Sequence, residues 1–340
     1  MFFRATPVGA SEKAPDRCRI SFRKNQTETS RTFLSRGRSC TFASVKLCRF
    51  KRPLPAQVSR TEPEIATGLL TEDEQSVLDL TVAGFPSLGA LLDRDDLLPR
   101  LRELRASGSV LTSFPLTGLE LVAPVERQEV WAAGVTYLRS KSARMEESDF
   151  GATAYDRVYD APRPEIFFKS LAEKVAGPGG LVGIRSDAKW NVPEPELALV
   201  LNCHAQVVGF TVGNDMSSRD IEGENLLYLP QAKVYRNSCA IGPFVTVGVT
   251  EADVRTWTIS IGIERGGAEV FRGETPVSKI KRGFDELAGW LARSQEFPYG
   301  AVLLTGTGVV PPNEFTLAAG DVVRIRISGV GELVNTVAVV

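Results

Sequence analysis

Two glutamates, Glu194 and Glu196, stand two residues apart at the start of an apolar run that is typical of a buried strand. Residues two apart on a strand point to the same face, so both carboxylates should face one pocket or the solvent. A second apolar run, Val207–Val212, follows a short polar break and predicts an antiparallel hairpin. If the turn centres on residues 204–205, the strand pairing places Asp215 opposite Glu194.

Three converging carboxylates predict a metal site. They repel each other and would not all stay ionised in a half-buried place without a cation. Oxygen ligands favour a hard divalent ion, Mg²⁺ first, with Mn²⁺ or Ca²⁺ as alternatives. The chain has one histidine, which excludes a zinc site built on several histidines. The alternative is a solvated edge strand that carries two glutamates, and the prolines around Glu194 suit both interpretations.

The motifs downstream of these glutamates decide between the two interpretations. Residues 213–220 read Gly-Asn-Asp-Met-Ser-Ser-Arg-Asp, a lysine follows at Lys233, and Gly-Pro stands at residues 242–243. Together with the Glu-x-Glu strand, this order resembles the fumarylacetoacetate hydrolase family. The resemblance covers roughly residue 130 to the C-terminus and includes the Leu-Thr-Gly-Thr-Gly motif that contains Thr307.

A longer stretch, residues 217–235, is similar to the branch of that family that contains 2-keto-3-deoxy-arabinonate dehydratase. Many short predicted strands and two helices indicate a β-rich α+β fold with a small N-terminal α+β domain. The resemblance implies that the C-terminal part is the mixed β-roll of the family. It supports a metal site and implies a glutamate and a lysine as proton carriers. The implied metal ligands are Glu194, Glu196 and Asp215, and the implied proton carriers are Glu165 and Lys233.

The implied reaction converts a 2-keto-3-deoxy-pentonate into 2,5-dioxopentanoate and water. A 2-keto acid can chelate a metal ion through its carboxylate and keto oxygens, and the ion then acidifies the C3 hydrogens. Two protonic groups are needed. We assign Lys233 to C3 proton transfer or enolate stabilisation and Glu165 to the leaving hydroxyl, although the two roles could be reversed.

Two further residues are expected to bind the substrate. Arg139 belongs to a basic stretch with Lys141 and Arg144, which forms either a lid that meets an anionic substrate or a solvated helix face. Spacing alone makes Thr307 part of a strand-end turn between two glycines. The family resemblance instead favours Thr307 as a contact for a ligand carboxylate, through its hydroxyl and backbone N–H.

The position of the sole histidine argues against a hydrolase. In the family's hydrolases a histidine follows, by three residues, the tyrosine that corresponds to Tyr137, and here Ser140 takes that place. His204 lies at the predicted hairpin turn, where a surface position is expected. Two kinds of alternative stay open: cleavage of an acylpyruvate or decarboxylation of a 2-keto acid, and a non-catalytic binding protein of the same fold.

The composition is that of an ordinary soluble globular protein, with 43% hydrophobic and 24% charged residues and a net charge of −1. A near-neutral chain argues against a nucleic-acid partner, and polar residues break the longest uncharged run, so no membrane span is expected. Five cysteines at irregular spacing form no disulfide framework, and a reducing cytoplasm is the expected location. We expect a homo-oligomer that acts on a small 2-keto acid.

The expected organisation has three parts: an N-terminal extension over residues 1–43, a small α+β domain over 44–125 and the catalytic β-roll over 126–340. The extension carries nine Lys or Arg against three Asp or Glu. That balance fits an organellar transit peptide, but interrupting prolines favour a disordered tail or a misassigned start codon. In the second part, the pattern predicts a first strand over Val45–Phe50 and one helix over Leu88–Ala106.

Overall fold

The structure, a computed structural model, describes residues 44–53, 63–107, 111–137 and 157–340. The N-terminal extension, residues 1–43, lies outside these described residues. The strands are β1 (Val45–Lys51), β2 (Ile65–Leu70), β3 (Ser76–Asp79), β4 (Ser113–Pro115), β5 (Leu121–Val122), β6 (Glu129–Gly134), β7 (Glu165–Ser170), β8 (Leu181–Ile184), β9 (Asn191–Val192), β10 (Pro195–Leu201), β11 (Val207–Asp215), β12 (Ser217–Ser218), β13 (Cys239–Val247), β14 (Thr258–Arg265), β15 (Ala268–Pro276), β16 (Ala301–Thr307), β17 (Val322–Ile327) and β18 (Gly331–Val339). The α-helices are α1 (Leu88–Leu92), α2 (Leu97–Ala106), α3 (Arg219–Glu224), α4 (Leu229–Lys233), α5 (Glu251–Val254) and α6 (Phe284–Leu291).

Two mixed sheets form the body of the fold. The larger, eleven-stranded sheet runs in the order β4-β3-β2-β1-β13-β11-β10-β16-β6-β7, with β5 also paired to β1. The smaller sheet runs in the order β15-β14-β17-β18-β8, and β9 and β12 pair separately. Side chains from both large sheets, such as Leu199 and Ile325, belong to one buried apolar cluster. The predicted β-rich α+β fold is confirmed.

Strand β10 shows how a buried strand can present polar groups on one face. All seven of its residues are buried, as expected for a central strand paired on both sides with β11 and β16. Leu197, Leu199 and Leu201 alternate into the cluster shared by the two sheets. The intervening positions, which include Glu196, therefore point to the opposite face.

The predicted register of the β10–β11 hairpin is confirmed. Glu196 pairs with Gly213 and Pro195 with Asn214, so the next pair along brings Glu194 beside Asp215. The backbone N–H of Asp215 donates to the carbonyl of Glu194 at 3.0 Å, an ordinary hydrogen-bond distance. The two strands belong to one local hairpin, which is why the pairing followed from the apolar pattern.

The single helix expected over Leu88–Ala106 is wrong, because the structure has two helices, α1 and α2, in that range. An unbroken helix would place Pro99 in its interior, where the ring clashes with the preceding turn and a hydrogen bond is lost. The break puts Pro99 in the first turn of α2. It also lets the carboxylate of Asp93 accept a hydrogen bond of 2.8 Å from the backbone N–H of Cys203.

The N-terminal strands continue the sheet that carries the carboxylates. The predicted first strand is confirmed as β1, which pairs with both β2 and β13. Val45 and Leu47 of β1 share a buried cluster with Val200 of β10. The domain boundary expected near residue 125 stays a prediction. Among the described helices, none has the length and apolar character that a membrane span requires.

Candidate active site

Three buried carboxylates meet at the open end of the β10–β11 hairpin. Glu194 precedes β10, Glu196 lies within it and Asp215 ends β11; one carboxylate oxygen of each lies within 4.8 Å of the others. They come together because the register sets Asp215 beside Glu194 and because residues two apart on a strand share a face. The structure thus brings together the three residues predicted as metal ligands.

Cationic side chains surround this acidic cluster. The Nζ of Lys233, at the end of α4, lies 2.6 Å from Oε2 of Glu194 and 3.1 Å from Oδ2 of Asp215. Arg219, at the start of α3, donates to Oε1 of Glu194 at 2.7 Å. Lys169, in β7, forms an ion pair of 2.5 Å with Oδ1 of Asp215. Each of these buried charges therefore faces an opposite charge, which offsets part of its desolvation cost.

Glu196 accepts a hydrogen bond from a neutral group, the backbone N–H of Gly306, at 2.6 Å. Burial, and then the charges of Asp215 and Glu194, raise the pKa of Glu196 well above its usual value. A divalent cation would offset this repulsion, and a donor set of carboxylate oxygens suits Mg²⁺, Mn²⁺ or Ca²⁺. The described residues therefore fit a metal ion.

The acidic cluster lines a narrow cleft that Lys233 and Glu165 also line. Glu165 starts β7, where it pairs with Gly134 of β6, and its side chain is half-buried. Phe167, two residues further along the same strand, lines the cleft as well. The two residues predicted to transfer protons and the three predicted metal ligands therefore share one cleft.

Thr307 lines the cleft, but its hydroxyl already has internal partners. Its Oγ1 lies 3.0 Å from the carbonyl oxygens of both Pro195 and Val309. A hydroxyl has one proton to donate, so binding a ligand carboxylate through it would cost one of these contacts. Substrate binding by Thr307 stays a prediction.

Two sequence expectations concern residues away from the cleft. Arg139 and its neighbours Lys141 and Arg144 lie outside the described residues, so the substrate contact assigned to Arg139 also stays a prediction. His204 is exposed in the turn between β10 and β11, as expected for a surface position.

Sequence reasoning missed three charged residues of this site. Lys169 lies in β7, where the pairing with β6 is irregular, so the period of two does not predict its contact with Asp215. Arg219 and Glu222 lie in the motif that carried the family resemblance, yet neither was assigned a role. Glu222 is buried, accepts a hydrogen bond of 2.8 Å from Oγ of Ser217 and lines the cleft.

Comparisons with known proteins agree with this geometry. Residues 130–338 match the model of the fumarylacetoacetate (FAA) hydrolase C-terminal family. A protein of Haloferax volcanii named "Probable 2-keto-3-deoxyxylonate dehydratase" is 48% identical over 217 residues, which cover 64% of this chain and 74% of that protein. The "2-dehydro-3-deoxy-D-arabinonate dehydratase" of Saccharolobus solfataricus is 38% identical over 232 residues, which cover 67% of this chain and 78% of that protein.

A solved structure is also similar across most of the chain. It is described as "2-keto-3-deoxy-D-arabinonate dehydratase complexed with magnesium and 2,5-dioxopentanoate" and superimposes with a TM-score of 0.68 at 30% identity. The similarity covers 87% of this chain and 99% of that one. It therefore extends beyond the residues of the C-terminal family model into the N-terminal strands.

Proposed function

Because this chain belongs to the fumarylacetoacetate hydrolase family, we propose that it is a Mg²⁺-dependent dehydratase that converts a 2-keto-3-deoxy-pentonate into 2,5-dioxopentanoate and water. The observation that carries the proposal is the cleft in which Glu194, Glu196 and Asp215 meet Lys233 and Glu165. Two dehydratases of 2-keto-3-deoxy sugar acids share 38–48% of their aligned residues with this chain. A related structure holds magnesium and 2,5-dioxopentanoate.

The metal ion would be held by Glu194, Glu196 and Asp215. When bound, a divalent cation polarises the keto group of a 2-keto acid and so acidifies its C3 hydrogens. The carboxylates of Glu194 and Asp215 also position Lys233 through hydrogen bonds of 2.6 and 3.1 Å. The same residues would therefore orient both the cation and the amine that carries the proton.

Lys233 is the stronger candidate for the C3 proton because the other buried lysine of this region is fully engaged. The ammonium of Lys169 has three N–H groups, and it contacts Asp215 and the backbone carbonyls of Met216 and Lys233. Both lysines are buried, but of the two only Lys233 lines the cleft. Lys233, in its neutral amine form, takes the proton from C3 and becomes an ammonium group, while Lys169 holds Lys233 in place.

Glu165 completes the reaction as the acid. As the C4–O bond breaks, the carboxyl group of Glu165 delivers a proton to the departing hydroxyl, which leaves as water. The electron pair of the former C3–H bond forms the new C3–C4 double bond. Proton transfers then convert the unsaturated product into 2,5-dioxopentanoate. Glu165 suits this role because it is half-buried and lines the same cleft as Lys233.

Purified protein incubated with a panel of 3-deoxy-2-keto acids and acylpyruvates tests this proposal. We expect loss of a 2-keto-3-deoxy-pentonate with formation of 2,5-dioxopentanoate in the presence of Mg²⁺, and no turnover after chelation with EDTA. Cleavage of an acylpyruvate without any dehydration would identify a hydrolase. Substrate binding without turnover of any compound would identify a binding protein of the same fold.

The proposed enzyme is a cytoplasmic homo-oligomer. Cys48 and Cys239 are buried thiols outside any disulfide, which suits a reducing compartment. Light scattering on the purified protein would measure the oligomeric state.

A further inference from the structure

A glycine occupies the position that faces the proposed acid. Gly134 is the last residue of β6 and pairs directly with Glu165, the first residue of β7. A Cβ atom at Gly134 would lie 2.0 Å from Oε2 and 2.7 Å from Cδ of Glu165, far inside van der Waals contact. The carboxyl group of Glu165 therefore fills the space that a side chain at position 134 would take.

The backbone next to this glycine is strained. Val135 has φ of 52°, in the left-handed region that a β-branched residue rarely adopts. Such a conformation persists where the surrounding structure holds it in place, and it is often found at functional sites. Val135 follows the last residue of β6 and lines the cleft, so the strained residue lies directly beside Gly134.

The geometry points to Gly134 as a positioning residue for Glu165, an inference that rests on the proposed function. The missing side chain at position 134 lets the carboxyl group of Glu165 lie across the end of β6, within the cleft that contains Lys233 and the acidic cluster. Any larger residue at position 134 turns the carboxyl group away from this place. The acid then no longer reaches the leaving hydroxyl, while the metal ligands and Lys233 are unaffected.

The expected consequence is a loss of activity without a loss of stability. The atoms that would clash at position 134 belong to the end of a flexible glutamate side chain, which can rotate to another rotamer. Gly308, which directly follows the cleft residue Thr307, differs because a Cβ there would lie 2.4 Å from the ring of the buried Tyr137. Gly134→Ala should therefore fold, whereas Gly308→Ala should be destabilised.

The test compares Gly134→Ala with the wild type and with Gly262→Ala, a strand glycine of β14 whose added Cβ would meet no atom within 4 Å. Three quantities are measured with Mg²⁺ present: the rate of dehydration, the exchange of C3 hydrogens with deuterated solvent, and urea unfolding. For Gly134→Ala we expect dehydration to fall about 10²-fold, the low end of what a general acid contributes, with exchange and unfolding unchanged. Gly262→Ala should match the wild type in all three.

A double-mutant cycle with Glu165→Gln separates an effect through Glu165 from a general one. If Gly134 acts through Glu165, the double variant dehydrates no more slowly than Glu165→Gln alone, because the two changes are not additive. Additive losses, a loss of C3 exchange or a loss of stability in Gly134→Ala would each overturn the inference. If the wild type shows no dehydration, the proposed function fails and the inference fails with it. If the wild type dehydrates the substrate and Gly134→Ala does so equally fast, only the inference fails.

Discussion

The ammonium group of Lys169 donates a hydrogen bond of 2.5 Å to the backbone carbonyl of Lys233, so a buried lysine of β7 holds the end of helix α4. The same nitrogen lies 2.5 Å from Oδ1 of Asp215. One buried side chain thus connects the proposed base to a proposed metal ligand. The two lysines therefore have different roles. Lys169 positions Lys233 and Asp215, and Lys233 faces the cleft.

The first prediction concerns stability and follows from that contact. Lys169→Met would remove the cation beside Oδ1 of Asp215 and the donor to the backbone carbonyls of Met216 and Lys233, all in a buried place. We expect the free energy of unfolding to fall by about 3–5 kcal/mol, the usual cost of breaking a buried ion pair. Urea denaturation measures this loss. An unchanged midpoint and slope would show that Lys169 does not hold the site together.

The second prediction concerns the metal. Glu196→Gln should abolish Mg²⁺ binding and leave the fold intact, since the amide oxygen can still accept the hydrogen bond from Gly306. At a Mg²⁺ concentration about 100 times the Kd, the wild type should gain ~2.7 kcal/mol of stability, and the variant none. Thermal unfolding with and without Mg²⁺ measures the difference.

A control for this experiment is the metal-free protein. There, Glu196→Gln should be at least as stable as the wild type, because it removes a carboxylate that Asp215 and Glu194 repel. Equal stabilisation of both proteins by Mg²⁺ would exclude Glu196 from the ligand set. Calorimetric titration of Glu194→Gln extends the test to a second proposed ligand, whose loss should also abolish binding.

The third prediction separates the two proton carriers. Lys233→Met should abolish exchange of C3 hydrogens with deuterated solvent, whereas Glu165→Gln should spare exchange and stop the loss of water. The reason is that the two residues act on different atoms of the substrate. Proton NMR in D₂O follows exchange and elimination in one sample. The opposite pattern would mean that the two roles are reversed.

The fourth prediction concerns the choice of reaction. The only histidine of the chain, His204, is exposed in the β10–β11 turn, and position 140 is Ser. Hydrolysis of a carbon–carbon bond needs a base to activate water, and imidazole is the usual one near neutral pH. We expect acylpyruvate cleavage to be about 10²-fold slower than dehydration. A panel assay under one set of conditions gives the ratio, and comparable rates would contradict the argument from the missing histidine.

The carboxylate cluster could be predicted from the amino-acid sequence because its geometry is local. Glu194, Glu196 and Asp215 belong to one hairpin, and the period of two along a strand together with a short turn determines which side chains meet. The first strand and the β-rich fold class followed from the same alternation. No contact between distant parts of the chain was needed for these conclusions.

Other features were decided only by tertiary structure. The contacts of Lys169 with Met216 and Lys233 span 47 and 64 residues, and no local pattern encodes which distant carbonyl a buried amine will meet. The contact of Asp93, at the end of α1, with the backbone N–H of Cys203 joins residues more than a hundred positions apart. The space that Gly134 leaves for Glu165 likewise exists only once β6 and β7 pair. The periodicity of a sequence predicts the face of a strand or helix on which a residue lies. The residue that it contacts on that face depends on the packing of distant parts of the chain.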